Sequence, residues 1–131
     1  MSAPRPIHTE RAPTAIGPYS QAIVTGDLLF VSGQIGLDPS TGQFRNENLH
    51  SEICRAMDNL SAVLEAGDSE LSLVSLATLY LTDMNDFAEV NEIYGNYFGD
   101  HRPARATVEV SGLPKGARFE ISAIAQTRSG N

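Results

Sequence analysis

Residues 49–83 read LHSEICRAMDNLSAVLEAGDSELSLVSLATLYLTD, and the stretch changes period halfway along. Leu49, Ile53, Met57, Leu60 and Leu64 recur at spacings of three and four, which defines one apolar stripe on a helix. Asn48 or Asn46 supplies a side-chain cap before the stripe, and Gly67 a stop after it. The predicted helix has about 18 residues and a length of roughly 27 Å at the usual rise. Past Gly67 the period falls to two. Over 73–83, Val74, Leu76, Thr78 and Tyr80 share one strand face, and Ala77, Leu79 and Leu81 share the other. An amphipathic helix feeding an apolar strand needs a sheet to cover, so this stretch sets the class: α/β, with helices laid on a sheet.

The same grammar extends both ways. Upstream, DLLFVSGQI (27–35) is predicted to be a strand buried on both faces, and DPSTGQ (38–43) is turn chemistry. RAPTAIGPYSQ (11–21) reads as an ordered loop, and residues 1–7, rich in proline, as a flexible lead-in. Downstream, Asp83 or Asn85 caps a second helix over 86–98 with the stripe Phe87, Val90, Asn91, Tyr94 and Phe98, and Gly99 ends it. Strands over 105–110 and 118–126 follow, separated by the loop SGLPKGA (111–117). The predicted order is strand, helix, strand, helix, strand, strand, in one domain spanning 1–131 without internal repeats.

Bulk composition narrows the function classes. With 131 residues, 41% hydrophobic and 19% charged, the chain is globular rather than disordered. A chain of this size buries only about two-thirds of its unfolded surface, so association would help it. The formal charge of -7 argues against a nucleic-acid partner, which calls for clustered positive charge. One cysteine, Cys54, rules out an intrachain disulfide and reads as a small buried hydrophobe. No apolar run is long enough to span a membrane, and the first twenty residues lack a secretory apolar core, so a cytoplasmic setting is the default expectation. His8, His50 and His101 have no metal-ligand spacing, and no CxxC, GxGxxG or P-loop is present, so neither metal nor cofactor is expected.

Against this acidic background, RPARATVEV (102–110) stands out. Strand alternation puts Arg105, Thr107 and Glu109 on one face and Ala106, Val108 and Val110 on the other. A solvated edge is one reading. A carboxylate site is the other, because the planar guanidinium of Arg105 forms a fork that lysine does not. Arg102, ahead of Pro103, is held extended and is either solvated or paired with an acid. In RFEISAIA (118–125), Phe119, Ile121 and Ala123 form the packed face, while Glu120 and Ser122 point the other way. Glu120 is either a general base beside apolar groups or a salt-bridge partner of Arg118 or Arg105. Asn91 interrupts an apolar stripe, and a buried amide needs partners. Ser32 and Gly33 interrupt the first apolar strand, which marks a bulge or a close backbone approach. Tyr19 follows Gly17 and Pro18, where an aromatic hydroxyl can close a pocket.

Taken together, IGPYSQA (16–22), FVSGQI (30–35), LTDMNDFAEVNEIY (81–94), RPARATVEV (102–110) and LPKGARFEISAIA (113–125) resemble the RidA/YjgF/UK114 family of reactive imine deaminases, over about residues 8–126. The resemblance implies a chorismate-mutase-like fold. It implies a mixed sheet covered on one face by two helices, three of which associate as a homotrimer with an inner barrel and clefts between subunits. It implies hydrolysis of 2-imino acids or their enamines, such as 2-aminoacrylate and 2-aminocrotonate, to 2-keto acids and ammonia, without metal or cofactor. The imines come from pyridoxal-phosphate enzymes, which the reaction protects without forming a stable complex with them. Carried over by motif, Arg105 holds the substrate carboxylate and Glu120 assists water attack. Tyr19, Ser32, Gly33, Asn91 and Thr107 line the substrate, with backbone groups near 105–107. Two departures stand out. Many members carry a cysteine at the position of Thr107, so a thiol-dependent mechanism there is excluded. Ser122 replaces the second acid of the usual EIEAIA run. The competing expectation is a non-enzymatic protein that binds or senses small keto acids; a positioned carboxylate beside the ligand disfavours it.

Overall fold

A computed structural model describes residues 3–130. Six strands form one sheet: β1 (Arg5–Ile7), β2 (Ala22–Thr25), β3 (Leu28–Gln34), β4 (Val74–Leu81), β5 (Ala104–Glu109) and β6 (Phe119–Gln126). Their order is β1-β2-β3-β6-β4-β5; β4 and β5 run parallel, and every other pair is antiparallel. Two helices, α1 (Leu49–Ala66) and α2 (Phe87–Phe98), connect β3 to β4 and β4 to β5. Parallel neighbours need such crossovers, and both helices lie on the same sheet face. The mixed α/β class is what the chain adopts, and β3 to β6 with the two helices follow the expected order; β1 and β2 are two strands that the periods did not predict.

Helix α1 starts where Asn48 accepts a hydrogen bond from the Ser51 N–H at 2.8 Å. Ile53, Met57, Leu60 and Leu64 are fully buried against the sheet. Gly67 ends the helix for a reason beyond backbone freedom: a Cβ there would fall 2.6 Å from Leu29 Cδ2. Asp83 accepts from the Asn85 N–H at 2.9 Å and opens a short 3-10 turn (Met84–Asp86) that runs into α2. Gly99, at φ 64, ends α2 in a left-handed conformation that suits glycine.

Four expectations are corrected. Residues 1–7 are not wholly a flexible lead-in: Arg5–Ile7 pairs with β2, and Ile7 is buried. Pro6 lies on the edge strand, the place in a sheet that tolerates a missing N–H. β3 is not buried on both faces. Leu29 and Val31 are covered, but Leu28 and Phe30 are each 40% exposed on the side opposite the helices. Val74 leaves the face it was assigned, because the β4–β6 register slips between Val74 and Leu76 and Ser75 becomes an extra residue. Val74 is therefore buried with Ala77, Leu79 and Leu81, while Leu76 faces outward. Cys54 is half-buried rather than buried, packed against the core edge with its Sγ 3.6 Å from His50 Nε2.

Candidate active site

Glu120 sits on the open face, in register with Tyr80 of β4. Between the pairs Val31–Ala123 and Gln34–Ile121, β3 has two residues and β6 has one, so Ser32 and Gly33 form a bulge opposite Ser122. The Glu120 side chain lies over that bulge. A Cβ at Gly33 would stand 2.7 Å from Glu120 Cδ, closer than real atoms approach, so glycine makes the seat. Ser32 anchors the opposite wall: its hydroxyl donates to Ser20 O at 2.6 Å and its N–H to Gln21 O at 2.9 Å. Buried Gln21 accepts from the Thr9 N–H at 2.7 Å and donates to Pro13 O at 2.8 Å, which fixes the loop carrying Tyr19. Tyr19 is 55% exposed and stands at the mouth. Tyr19, Gln21, Gly33 and Glu120, together with Ile16, Ile35, Pro114 and Lys115, line a pocket of about 240 Å³. Lys115 is the chain's sole lysine, held at φ 58 on the rim.

Among the described residues Glu120 has no ion pair, and burial pushes its carboxyl above the usual range. Neither predicted salt bridge forms. Arg118 instead meets Glu52, with its Nε 2.8 Å from Oε1. Arg105 lies elsewhere.

Arg105 pairs in register with Ala77, a residue of the helix-covered face, so its side chain is on the other side of the sheet from Glu120. There the guanidinium carbon stands 5.0 Å from the Tyr94 ring centre and 5.6 Å from that of Phe87, both on α2. The two rings hold an otherwise exposed cation beside them. Arg102 donates to the carbonyls of Gly99 and His101 and closes the end of α2, so it is neither free nor paired with an acid. Asn91, Tyr94, Arg102, Pro103 and Arg105 line a second, open cleft. Three buried polar atoms among the described residues have no hydrogen-bond partner: Asn91 Oδ1, Tyr94 Oη and Thr107 Oγ1. All three flank Arg105, by α2 position or by β5 face. Burial raises the Tyr94 phenol, while Arg105 and Arg102 pull it back.

Within one chain, then, the predicted residues fall into two groups on opposite sides of the sheet. Tyr19, Ser32, Gly33 and Glu120 gather on one side of the sheet, and Asn91, Thr107 and Arg105 on the other. In the sequence Tyr94 and Phe87 show only as helix stripe, and Gln21 and Lys115 only as loop residues. Asn91 gave the available signal for the aromatic bed, because a polar residue on a stripe implies that its helical neighbours border something polar. No group of three or more metal-ligating side chains comes together among the described residues, and no helix there is long and apolar enough to cross a membrane.

The sequence pattern of the endoribonuclease L-PSP family matches residues 9–127. A RutC family protein of Pyrococcus horikoshii is 50% identical over 119 residues, covering 91% of this chain and 94% of its own. The 2-iminobutanoate/2-iminopropanoate deaminase of Homo sapiens is 46% identical over 121 residues, covering 92% of this chain and 88% of its own. The crystal structure of a Rid-family protein from Yersinia pestis superposes with a TM-score of 0.93 at 41% identity, over 95% of this chain and all of that one. A match over nearly the whole chain, in both sequence and fold, makes this chain a member of the endoribonuclease L-PSP (RidA/YjgF) family.

Proposed function

We propose that this chain hydrolyses small 2-imino acids, the tautomers of 2-aminoacrylate and 2-aminocrotonate, to 2-keto acids and ammonia. The observation that carries the reading is Glu120: an unpaired carboxylate, partly dried and seated on a glycine, in a pocket of about 240 Å³. Such a group is costly to keep unless its basicity is used. The deaminase relatives support the same chemistry. Arg105 of a neighbouring copy supplies the carboxylate clamp, since the Arg105 and Glu120 of one chain face opposite ways. Three copies associate through their open faces. Leu28, Phe30, Leu76 and Val108, at least 36% exposed in the single chain, become an apolar interface.

With the substrate carboxylate on Arg105, the C=N carbon faces Glu120. The ionised carboxylate accepts a proton from water as the water oxygen bonds to that carbon and the C=N electron pair passes to nitrogen. Glu120 passes that proton to nitrogen, which gives a carbinolamine; the hydroxyl proton then moves through Glu120 to the same nitrogen as the oxygen's electron pair forms the keto C=O, the C–N bond breaks and ammonia leaves. An elevated pKa suits both halves of this exchange. Tyr19 closes the mouth, and Asn91 and Thr107 border the clamp. The imines arise when pyridoxal-phosphate enzymes eliminate water from serine or threonine, and their removal protects such enzymes.

The test generates both imines in situ with a serine/threonine dehydratase and follows keto-acid release, with semicarbazide trapping to separate hydrolysis from dehydratase turnover. The protein is expected to accelerate release, and Arg105→Ala to abolish that acceleration while leaving the fold intact. No acceleration across small and branched imines would instead identify a metabolite-binding protein.

A further inference from the structure

Helix α1 meets the sheet through a second stripe, Glu52, Ala56, Asn59 and Val63, and two of its four buried members are polar. Glu52 is 0% exposed. Its Oε2 accepts the Arg118 backbone N–H at 2.6 Å, and its Oε1 accepts Arg118 Nε–H at 2.8 Å. Its own carbonyl is pressed on Gly36, where a Cβ would fall 2.7 Å from the oxygen. Two turns on, Asn59 Nδ2 donates to Ile35 O at 3.0 Å and Leu37 O at 2.9 Å. Arg118 lies two residues before Glu120, and Gly36 three after Gly33. The helix therefore grips both segments that meet where the Glu120 carboxylate rests on Gly33.

We propose that Glu52 is a positioning residue for Glu120, holding the entry to β6 and the end of β3 in one fixed relation so that the carboxylate stays seated on the bulge. Burying a carboxylate costs several kcal/mol before its partners repay it, and an apolar residue of similar volume would anchor the helix as well or better. What the carboxylate adds is direction. Two bonds to one residue, one of them to its backbone, fix the position and the rotation of β6 where Glu120 departs from it. The catalytic significance rests on the deaminase reading, but the geometry can be tested without it.

The test uses the full chain with selectively protonated glycine and glutamate in a deuterated background. The probe is the nuclear Overhauser effect between Gly33 Hα and Glu120 Hγ, strong in the wild-type protein because these groups are in contact. Glu52→Gln keeps the volume and loses the charge and one of the two bonds. Glu52→Leu loses both. Ile7→Ala, at the far edge of the sheet, is the control for general destabilisation. The expected result is a weaker effect in Glu52→Gln and loss in Glu52→Leu, with Ile7→Ala unchanged. In the imine assay, kcat should fall about tenfold in the Glu52 variants with KM within about twofold, as misplacement of a reacting group predicts. A Gly33–Glu120 contact that persists in folded Glu52→Gln overturns the proposal; if Glu52→Leu fails to fold, Glu52→Gln alone decides. If the wild-type protein hydrolyses no imine, the deaminase reading fails, while the Overhauser measurement still settles the positioning role.

Discussion

A carboxyl whose pKa is raised by burial holds its proton to higher pH in the folded chain than in the unfolded one. Its favourable contribution to stability is full below the ordinary glutamate range and is lost as pH rises through the folded value. Glu120→Gln should therefore melt at a higher temperature than wild type at pH 7, and the gap should close as pH falls below the ordinary range; a pH series of thermal melts reads this directly. The same variant should still bind keto acids while hydrolysing imines at least tenfold more slowly, since it removes the proton acceptor. Gly33→Ala should displace the carboxylate from its seat, with an effect on kcat comparable to Glu120→Gln, because the added methyl and Glu120 compete for one volume. Alternation in RFEISAIA was enough to place Glu120 away from the packed face. The interruption of an apolar strand by Ser32 and Gly33 was enough to expect a bulge or a close approach. That the approaching group is the Glu120 side chain was beyond reach, because it depends on a pairing between residues almost ninety positions apart.

Both helices were legible, since each carries a stripe of its own, a polar cap and a glycine at the end. Asn48→Ala should lower stability by about 1 kcal/mol in chemical denaturation, the usual loss for such a cap. Strands β1 and β2 were missed because three or four residues hold too few alternations to show a period. Val74 was misplaced because a bulge shifts phase without leaving a mark in composition: Ser75 looks like any other strand residue until β6 lies beside it. Glu52 and Asn59 were passed over for a different reason. They are seven residues apart, with Ala56 and Val63 filling the same face, but a search for apolar residues discards a stripe that is half polar. A charged residue at helical spacing from buried small ones deserved a second stripe of its own.

Across the molecule, one sheet face is covered by α1 and α2 and the other shows Leu28, Phe30, Leu76 and Val108 to solvent. In the proposed trimer a second copy covers it. Sedimentation at micromolar concentration should show no folded monomer, and Phe30→Asp should give unfolded or aggregated chain rather than a stable single copy. The register explains why the assembly matters for chemistry as well as stability. Arg105 and Glu120 leave the sheet in opposite directions, so no chain in the proposed ring owns a complete site. Genetics can expose this arrangement. Arg105→Ala and Glu120→Gln, each strongly impaired alone, should rescue one another when co-expressed, because a mixed ring joins an intact arginine from one mutant to an intact glutamate from the other. Random mixing of equal amounts would restore about a quarter of the sites. A double mutant carrying both changes on one chain would rescue neither, so two lesions in separate copies are recessive where the same two in every copy are lethal to activity.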